Sequence, residues 1–130
     1  MTARRILIVG INYAPEPVGI GPYSAGLAEA LVARGHTVEM VTGKPYYPQW
    51  RVYPAFAGGG WRKARESGVA ITRCPHYVPA NPGGLKRIIH LASFALAALP
   101  PALGAALRGT QRPDVVIAVA PALFSVLTAW

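Results

Sequence analysis

Gly19 and Gly21 flank Ile20 immediately ahead of a stretch with helical spacing, and this loop holds the first residues suited to chemistry. A helix N-terminus offers unpaired backbone N–H groups and the positive end of the dipole. Residues without a Cβ let an anionic oxygen come close to that backbone. The chemistry predicted is phosphate handling, and the competing reading is a glycine loop that only turns the chain. The loop is not a dinucleotide fingerprint: Ser24 stands where a third glycine or alanine belongs, and the strand ending in Val41-Thr42 lacks the acid that holds a ribose. Nor is it a P-loop, because Gly43-Lys44 is followed by Pro45.

A second group lies in the long stretch GKPYYPQWRVYPAFAGGGWRKARESG. Lys44, Tyr46, Tyr47, Trp50 and Arg51 open it, and Tyr53, Trp61, Arg62, Lys63 and Arg65 follow between proline and glycine breakers. Aromatic faces with interspersed cations suit sugar rings, stacked bases or a membrane interface. An acceptor-binding or interfacial loop is favoured over a passive packed one. Cys74 has His76 two residues away, yet a packed thiol is the simpler reading than a nucleophile. His76 and Tyr77 are placed at the edge of a cleft, where a bystander role for the histidine is the more common case. No D-x-D motif and no His/Cys cluster suggests a metal site.

The elements that must position these groups follow from the apolar pattern. Ile6 to Val9 is a continuous apolar run, as in a strand covered on both faces. Tyr23, Leu27, Ala30 and Leu31 recur at helical spacing, with Gly35 where a C-terminal cap belongs. Thr37 to Thr42 is a second strand, parallel to the first across that helix. A right-handed crossover puts the loops at 12–21 and 43–50 side by side on the carboxyl edge, where open α/β sheets bind ligands. Val69 to Arg73 is a short third strand, and Asp114 to Ala120 a fourth, buried-type one. Residues 122–130 begin another helix-like stretch that stops without a cap. The expected fold is α/β, a Rossmann-like open parallel sheet with helices on both faces, in a single domain over 1–130 that is incomplete at its C-terminus.

Residues 88–107, IIHLASFALAALPPALGAAL, carry no charge and are flanked by Lys86 and Arg87 before and Arg108 and Arg112 after. Length and flanks are those of a membrane span. Pro100-Pro101, the many alanines and the strand that follows argue against one. A kinked helix pair on the sheet is expected, with either a wholly buried or a partly interfacial surface.

At 130 residues and 52% hydrophobic content the chain can build one real core, which excludes disorder. The net charge is +8, and ten of its thirteen basic residues are Arg. That balance suits phosphate-bearing substrates or an anionic membrane face as well as a merely basic surface. Nucleic acid is disfavoured, because no recognition motif accompanies the charge. One cysteine permits no internal disulfide, so a reducing compartment fits. MTARRILIVG reads as a first strand rather than a signal peptide.

The segment NYAPEPVGIGPYSAGLAEALVARGHTVEMVTGKPYYPQW closely resembles the N-terminal segment of retaining glycosyltransferases of the GT-B class, family four, of the colanic-acid and exopolysaccharide type. Residues 5–50 carry the likeness densely, and PDVVIAVAP (113–121) more loosely. The resemblance implies the acceptor-binding N-terminal half of a GT-B fold. It implies transfer from a nucleotide-sugar donor, as substrate rather than cofactor, to a lipid-linked saccharide in exopolysaccharide or O-antigen biosynthesis. It also implies a peripheral place at the cytoplasmic, inner face of the cell membrane and a further C-terminal donor domain, without which the chain would be inactive. Gly19 and Gly21 match the family's glycine loop near the donor diphosphate. Asn12, Tyr13, Pro15 and Glu16 match its cleft-lining N-Y-x-P-E segment. Glu16 would bond an acceptor hydroxyl or face the positive end of the helix. The family's paired glutamates seven residues apart are absent, and no histidine stands in 116–121; the catalytic residues are therefore unassigned. Two other readings remain: a non-catalytic membrane-associated subunit, and a flavodoxin-like nucleotide-binding domain.

Overall fold

In a computed structural model, residues 3–17, 20–47, 49–57, 60–81 and 83–119 are described, Ile20 by its backbone alone. Strand β1 (Arg5–Val9) leads through a loop to helix α1 (Ile20–Ala33), then to β2 (Thr37–Gly43). A hairpin of β3 (Arg62–Glu66) and β4 (Val69–Cys74) follows, then the long helix α2 (Gly84–Ala106) and β5 (Val115–Ala118). The five strands lie in the order β3-β4-β2-β1-β5. β1, β2, β4 and β5 are parallel, and β3 runs antiparallel to β4. This is the α/β parallel sheet the apolar runs predict.

The strands feed two cores. Ile6 and Ile8 of β1 join Val38, Met40, Val69 and Ile71 beneath α1, while Leu7 joins Val41, Cys74, Phe94, Ala98 and Ala105 beneath α2. Period-two alternation across a doubly covered sheet therefore accounts for the unbroken apolar run. The register Ile6↔Val38 and Ile8↔Met40 sets large β-branched and Met side chains side by side.

Four expectations are corrected. First, α1 does not bury Tyr23, Leu27 and Ala30: Tyr23 is 78% exposed, and the helix meets the sheet through Gly21, Ser24, Ala25 and Ala28. Small residues at that spacing let the backbone approach closely, so the bulky residues turn outward. Leu31 is half-buried against the core as expected. Second, Arg62 to Glu66 is a strand within what reads as loop. Ser67 and Gly68, both at positive φ, form the tight turn that a two-residue hairpin requires.

Third, α2 is one continuous helix and not a pair, with Pro100 and Pro101 inside it. A proline removes the N–H that would bond the carbonyl four residues back. For Pro101 that carbonyl is Ala97, and the indole N–H of Trp61 donates to it across 2.7 Å. Fourth, β5 is a largely exposed edge strand rather than a buried one. Its pairing with β1 is as expected, from Ile6↔Val115 to Val9↔Ala118. The expected helix-like stretch at 122–130 lies outside the described residues.

Candidate functional site: the carboxyl edge of the sheet

The loops that leave β1, β2 and β4 meet at one end of the sheet, and Glu16 fastens the first two together. Its side chain is 2% exposed. Oε2 accepts the backbone N–H groups of Tyr46 and Tyr47, each at 2.8 Å, and Oε1 accepts Asn12 Nδ2 at 2.9 Å. Asn12 also reaches the Tyr46 hydroxyl at 3.4 Å. A charged acceptor with three N–H donors is a strong clasp. Both carboxylate oxygens of Glu16 thus bind the protein's own donors. Among the described residues, the loops after β1 and β2 are neighbours as expected, and Glu16 joins them.

Arg73, absent from the sequence-based site, braces the same loops from the α1 side. Its guanidinium is 3% exposed, donates to the carbonyls of Gly43 and Ala14, and lies over the rings of Phe56 and Tyr13. Burial lowers its pKa and Glu66, 3.7 Å away, opposes that. An arginine near the end of the short, largely apolar strand Val69–Cys74 was the available signal. Tyr13 belongs to this buried layer and not to a cleft wall; burial raises its hydroxyl to about 12.

On the α2 side, Tyr46, Trp50, His76 and His90 form one aromatic cluster. Ring centroids are 4.7 Å apart for Tyr46–His90, 5.0 Å for Tyr46–Trp50, 5.1 Å for Trp50–His90 and 5.2 Å for His76–His90. Phe94 of α2 closes it against His76. Tyr46 and Lys44, expected on an open loop, are buried, because the loop after β2 folds back under α2. Burial holds the Tyr46 hydroxyl up at about 12 and lowers the Lys44 ammonium, with Arg62 adding to the latter. His76 is held down at about 4, mainly by burial, and its Nε2 sits 3.1 Å from the Lys44 carbonyl. Tyr47 and Trp50 are half-buried and Arg51 is exposed, so these three keep surface at the edge. Trp50 turns there with φ +56°.

The glycines serve close approach within the protein. A Cβ on Gly21 would stand 2.9 Å from Glu16 Cβ and 3.0 Å from the Tyr13 carbonyl oxygen. One on Gly43 would stand 2.6 Å from His76 Nε2. Gly21 thus seats α1 on the turn that carries Glu16; Gly19 lies outside the described residues. Cys74 is fully buried and its thiol is raised to about 11 by burial, as befits packing rather than nucleophilic chemistry. Among the described residues no three His, Cys, Asp or Glu side chains are grouped to hold a metal. The edge thus presents Asn12, Tyr47, Trp50 and Arg51, a set able to hydrogen-bond and stack on a sugar and meet an anion, with Trp50 lying against His90 and Arg87 of α2.

The chain is 46% identical over 121 residues to the putative colanic acid biosynthesis glycosyl transferase WcaI of Escherichia coli K12, across 92% of this chain and 28% of that protein. Its fold is similar to the catalytic domain of starch synthase IV from Arabidopsis thaliana bound to ADP and acarbose, at a TM-score of 0.60 and 18% identity, over 90% of this chain and 28% of that one. The chain therefore spans just over a quarter of the length of each. Residues 18–130 match the family model described as glycosyl transferase 4-like domain, so the chain, with its mostly parallel α/β sheet, belongs to that family.

Proposed function

We propose that this chain is the acceptor-side domain of a retaining glycosyltransferase that moves a sugar from a nucleotide-sugar to a lipid-linked saccharide in exopolysaccharide synthesis, at the inner face of the cell membrane. The observation that carries the reading is the Glu16 clasp, which welds the two loops of the carboxyl edge into one surface. Ligands of open α/β sheets bind at that edge. Similarity to a colanic acid transferase supplies the substrate class.

In this reading Asn12 bonds an acceptor hydroxyl, Tyr47 and Trp50 offer ring faces to a saccharide, and Arg51 meets its diphosphate. Backbone N–H groups at the start of α1 lie toward the leaving nucleoside diphosphate, where preorganised donors stabilise developing charge. Donor binding falls mainly to a further domain, so residues 1–130 alone are inactive. No cofactor is called for beyond the two substrates.

The test is transfer of a labelled sugar by the longer protein. Asn12→Ala and Arg51→Ala should raise the KM for the acceptor and leave that for the donor unchanged. Unchanged acceptor KM in both variants would remove the acceptor role from this edge.

A further inference from the structure

Trp50 turns at φ +56°, a left-handed conformation that a bulky side chain adopts only where its neighbours enforce it. The loop that carries it is rooted elsewhere. Glu16 accepts the N–H groups of Tyr46 and Tyr47, and the Tyr53 N–H donates to the Pro45 carbonyl at 2.9 Å. Among the described residues, ring packing is what fastens Trp50 to α2. Its centroid stands 5.1 Å from that of His90, and the Arg87 guanidinium lies over its face at 5.5 Å.

His90, 1% exposed, packs on the half-buried His76 with ring centroids 5.2 Å apart. Each imidazole has one nitrogen committed: His90 Nδ1 meets the Tyr77 carbonyl, and His76 Nε2 the Lys44 carbonyl at 3.1 Å. A carbonyl only accepts, so these two nitrogens carry the protons. His90 Nε2 and His76 Nδ1 are therefore lone pairs, both buried with no hydrogen-bond partner among the described residues.

A proton on either lone pair would place a cation among cations. Arg87 faces His90 from α2, and Lys44 faces His76 from the loop after β2, with each imidazole facing the other. Glu16, the carboxylate of this edge, has both oxygens on N–H groups of Asn12, Tyr46 and Tyr47. Tyr46, packed on both rings, and Cys74 in the same apolar cluster are neutral, raised by burial. Burial outweighs the two carbonyls, which favour the proton; His76 is held down at about 4 and His90 is lowered too.

We propose that His76 and His90 form a proton-operated catch on Trp50. With both imidazoles neutral the indole is held against α2, and protonation of either releases it while the sheet stays folded. Release relieves the backbone of Trp50 and lets both imidazoles reach water, where they titrate near 6.5. The released form thus binds more protons below that value. The closed form is fully favoured above about 6.5 and loses ground as pH falls towards about 4. In that window the ratio of released to closed rises about tenfold per pH unit for each histidine that takes up a proton. Trp50 is one of the ring faces offered to the saccharide, so acceptor binding should fade in acid. That consequence rests on the acceptor reading above; the release itself does not.

The experiment follows acrylamide quenching of tryptophan emission in the purified chain from neutral pH down to about 4, with far-ultraviolet circular dichroism on the same samples. Trp50→Phe supplies the contribution of Trp61 and Trp130. The Trp50 part should become more accessible below about pH 6.5 while the dichroism stays constant. His76→Gln with His90→Asn keeps an amide N–H for the Lys44 and Tyr77 carbonyls and takes up no proton. Its accessibility, whatever the level at neutral pH, should not change with pH. Either single variant should show a transition shallower by about tenfold per pH unit, which decides the matter where the double variant fails to fold. Flat accessibility in the unaltered chain would overturn the proposal, as would a transition that the variants leave unchanged or one that coincides with loss of dichroism. So would dimmer emission without greater acrylamide access, the mark of a protonated imidazole beside a fixed indole. In the longer protein the acceptor KM should rise below about pH 6.5, and not in the double variant. Release with an unchanged acceptor KM would uphold the catch and remove Trp50 from the acceptor site.

Discussion

The Trp61 indole N–H donates to the Ala97 carbonyl at a point in α2 where Pro101 has no N–H to give. A residue from the β3 edge thus completes the backbone bonding of a helix that its own sequence would break. Trp61→Phe keeps the ring and removes the donor, and should cost about 1 kcal/mol. Pro101→Ala returns the helical donor, so the same change in that background should cost far less. Chemical denaturation of the four proteins measures the coupling. Additive effects would mean that the indole bond does not compensate for the proline.

The Glu16 clasp predicts a graded loss. Glu16→Ala leaves the N–H groups of Tyr46 and Tyr47 buried without their acceptor and should destabilise the chain by about 3 kcal/mol. Glu16→Gln keeps an oxygen for those two donors, and Asn12 can turn its amide to match, so that variant should lose about half as much. Urea unfolding measures both. Equal stability of Glu16→Ala and the unaltered chain would show that the loops hold without the carboxylate.

Gly43 and His76 should behave as a coupled pair. A methyl on Gly43 meets His76 Nε2 at 2.6 Å and the Ile11 carbonyl at 3.1 Å. Gly43→Ala is therefore expected to cost about 1–3 kcal/mol, as overpacking does. His76→Ala clears the nearer contact and should recover part of that cost in the double variant. No recovery would place the strain at Ile11 alone.

Acidification should weaken the fold through the same histidine. His76 is held at about 4 when folded, below the 6.5 of an unperturbed imidazole. Between those values the unfolded chain binds more protons than the folded one, so stability falls as pH drops from about 6.5 to about 4. The lowered His90 adds in the same direction. His76→Phe should flatten the pH dependence of Tm in that window, and an unchanged slope would remove His76 as its source.

Much of this was legible in the sequence, and the misses share a cause. Strands β1, β2, β4 and β5 announce themselves because each is an apolar run between turn residues, and the crossover rule then sets their loops together. The aromatic loop after β2 was placed at the right edge but read as exposed. Composition shows that Tyr46 and Trp50 are amphipathic; only the packing of His90 and Phe94 shows that they turn inward. Helix α1 misled for the converse reason. Its largest residues, Tyr23 and Leu27, looked like its buried face, while Gly21, Ser24, Ala25 and Ala28 give the closer fit to the sheet. Strand β3, with three bases in five residues, has no apolar signal, and its mark is the Ser67-Gly68 turn. The continuity of α2 through Pro100-Pro101 depends on Trp61, which no local pattern contains.

The most direct test of the central claim is sugar transfer by the longer protein to a polyprenyl-diphosphate-linked saccharide, with the anomeric configuration of the product determined. The account predicts transfer with retention, and an acceptor KM that rises in Asn12→Ala and Arg51→Ala while the donor KM stays fixed. A donor KM that rises instead, or transfer that ignores both residues, would contradict an acceptor site at the edge that Glu16 holds together.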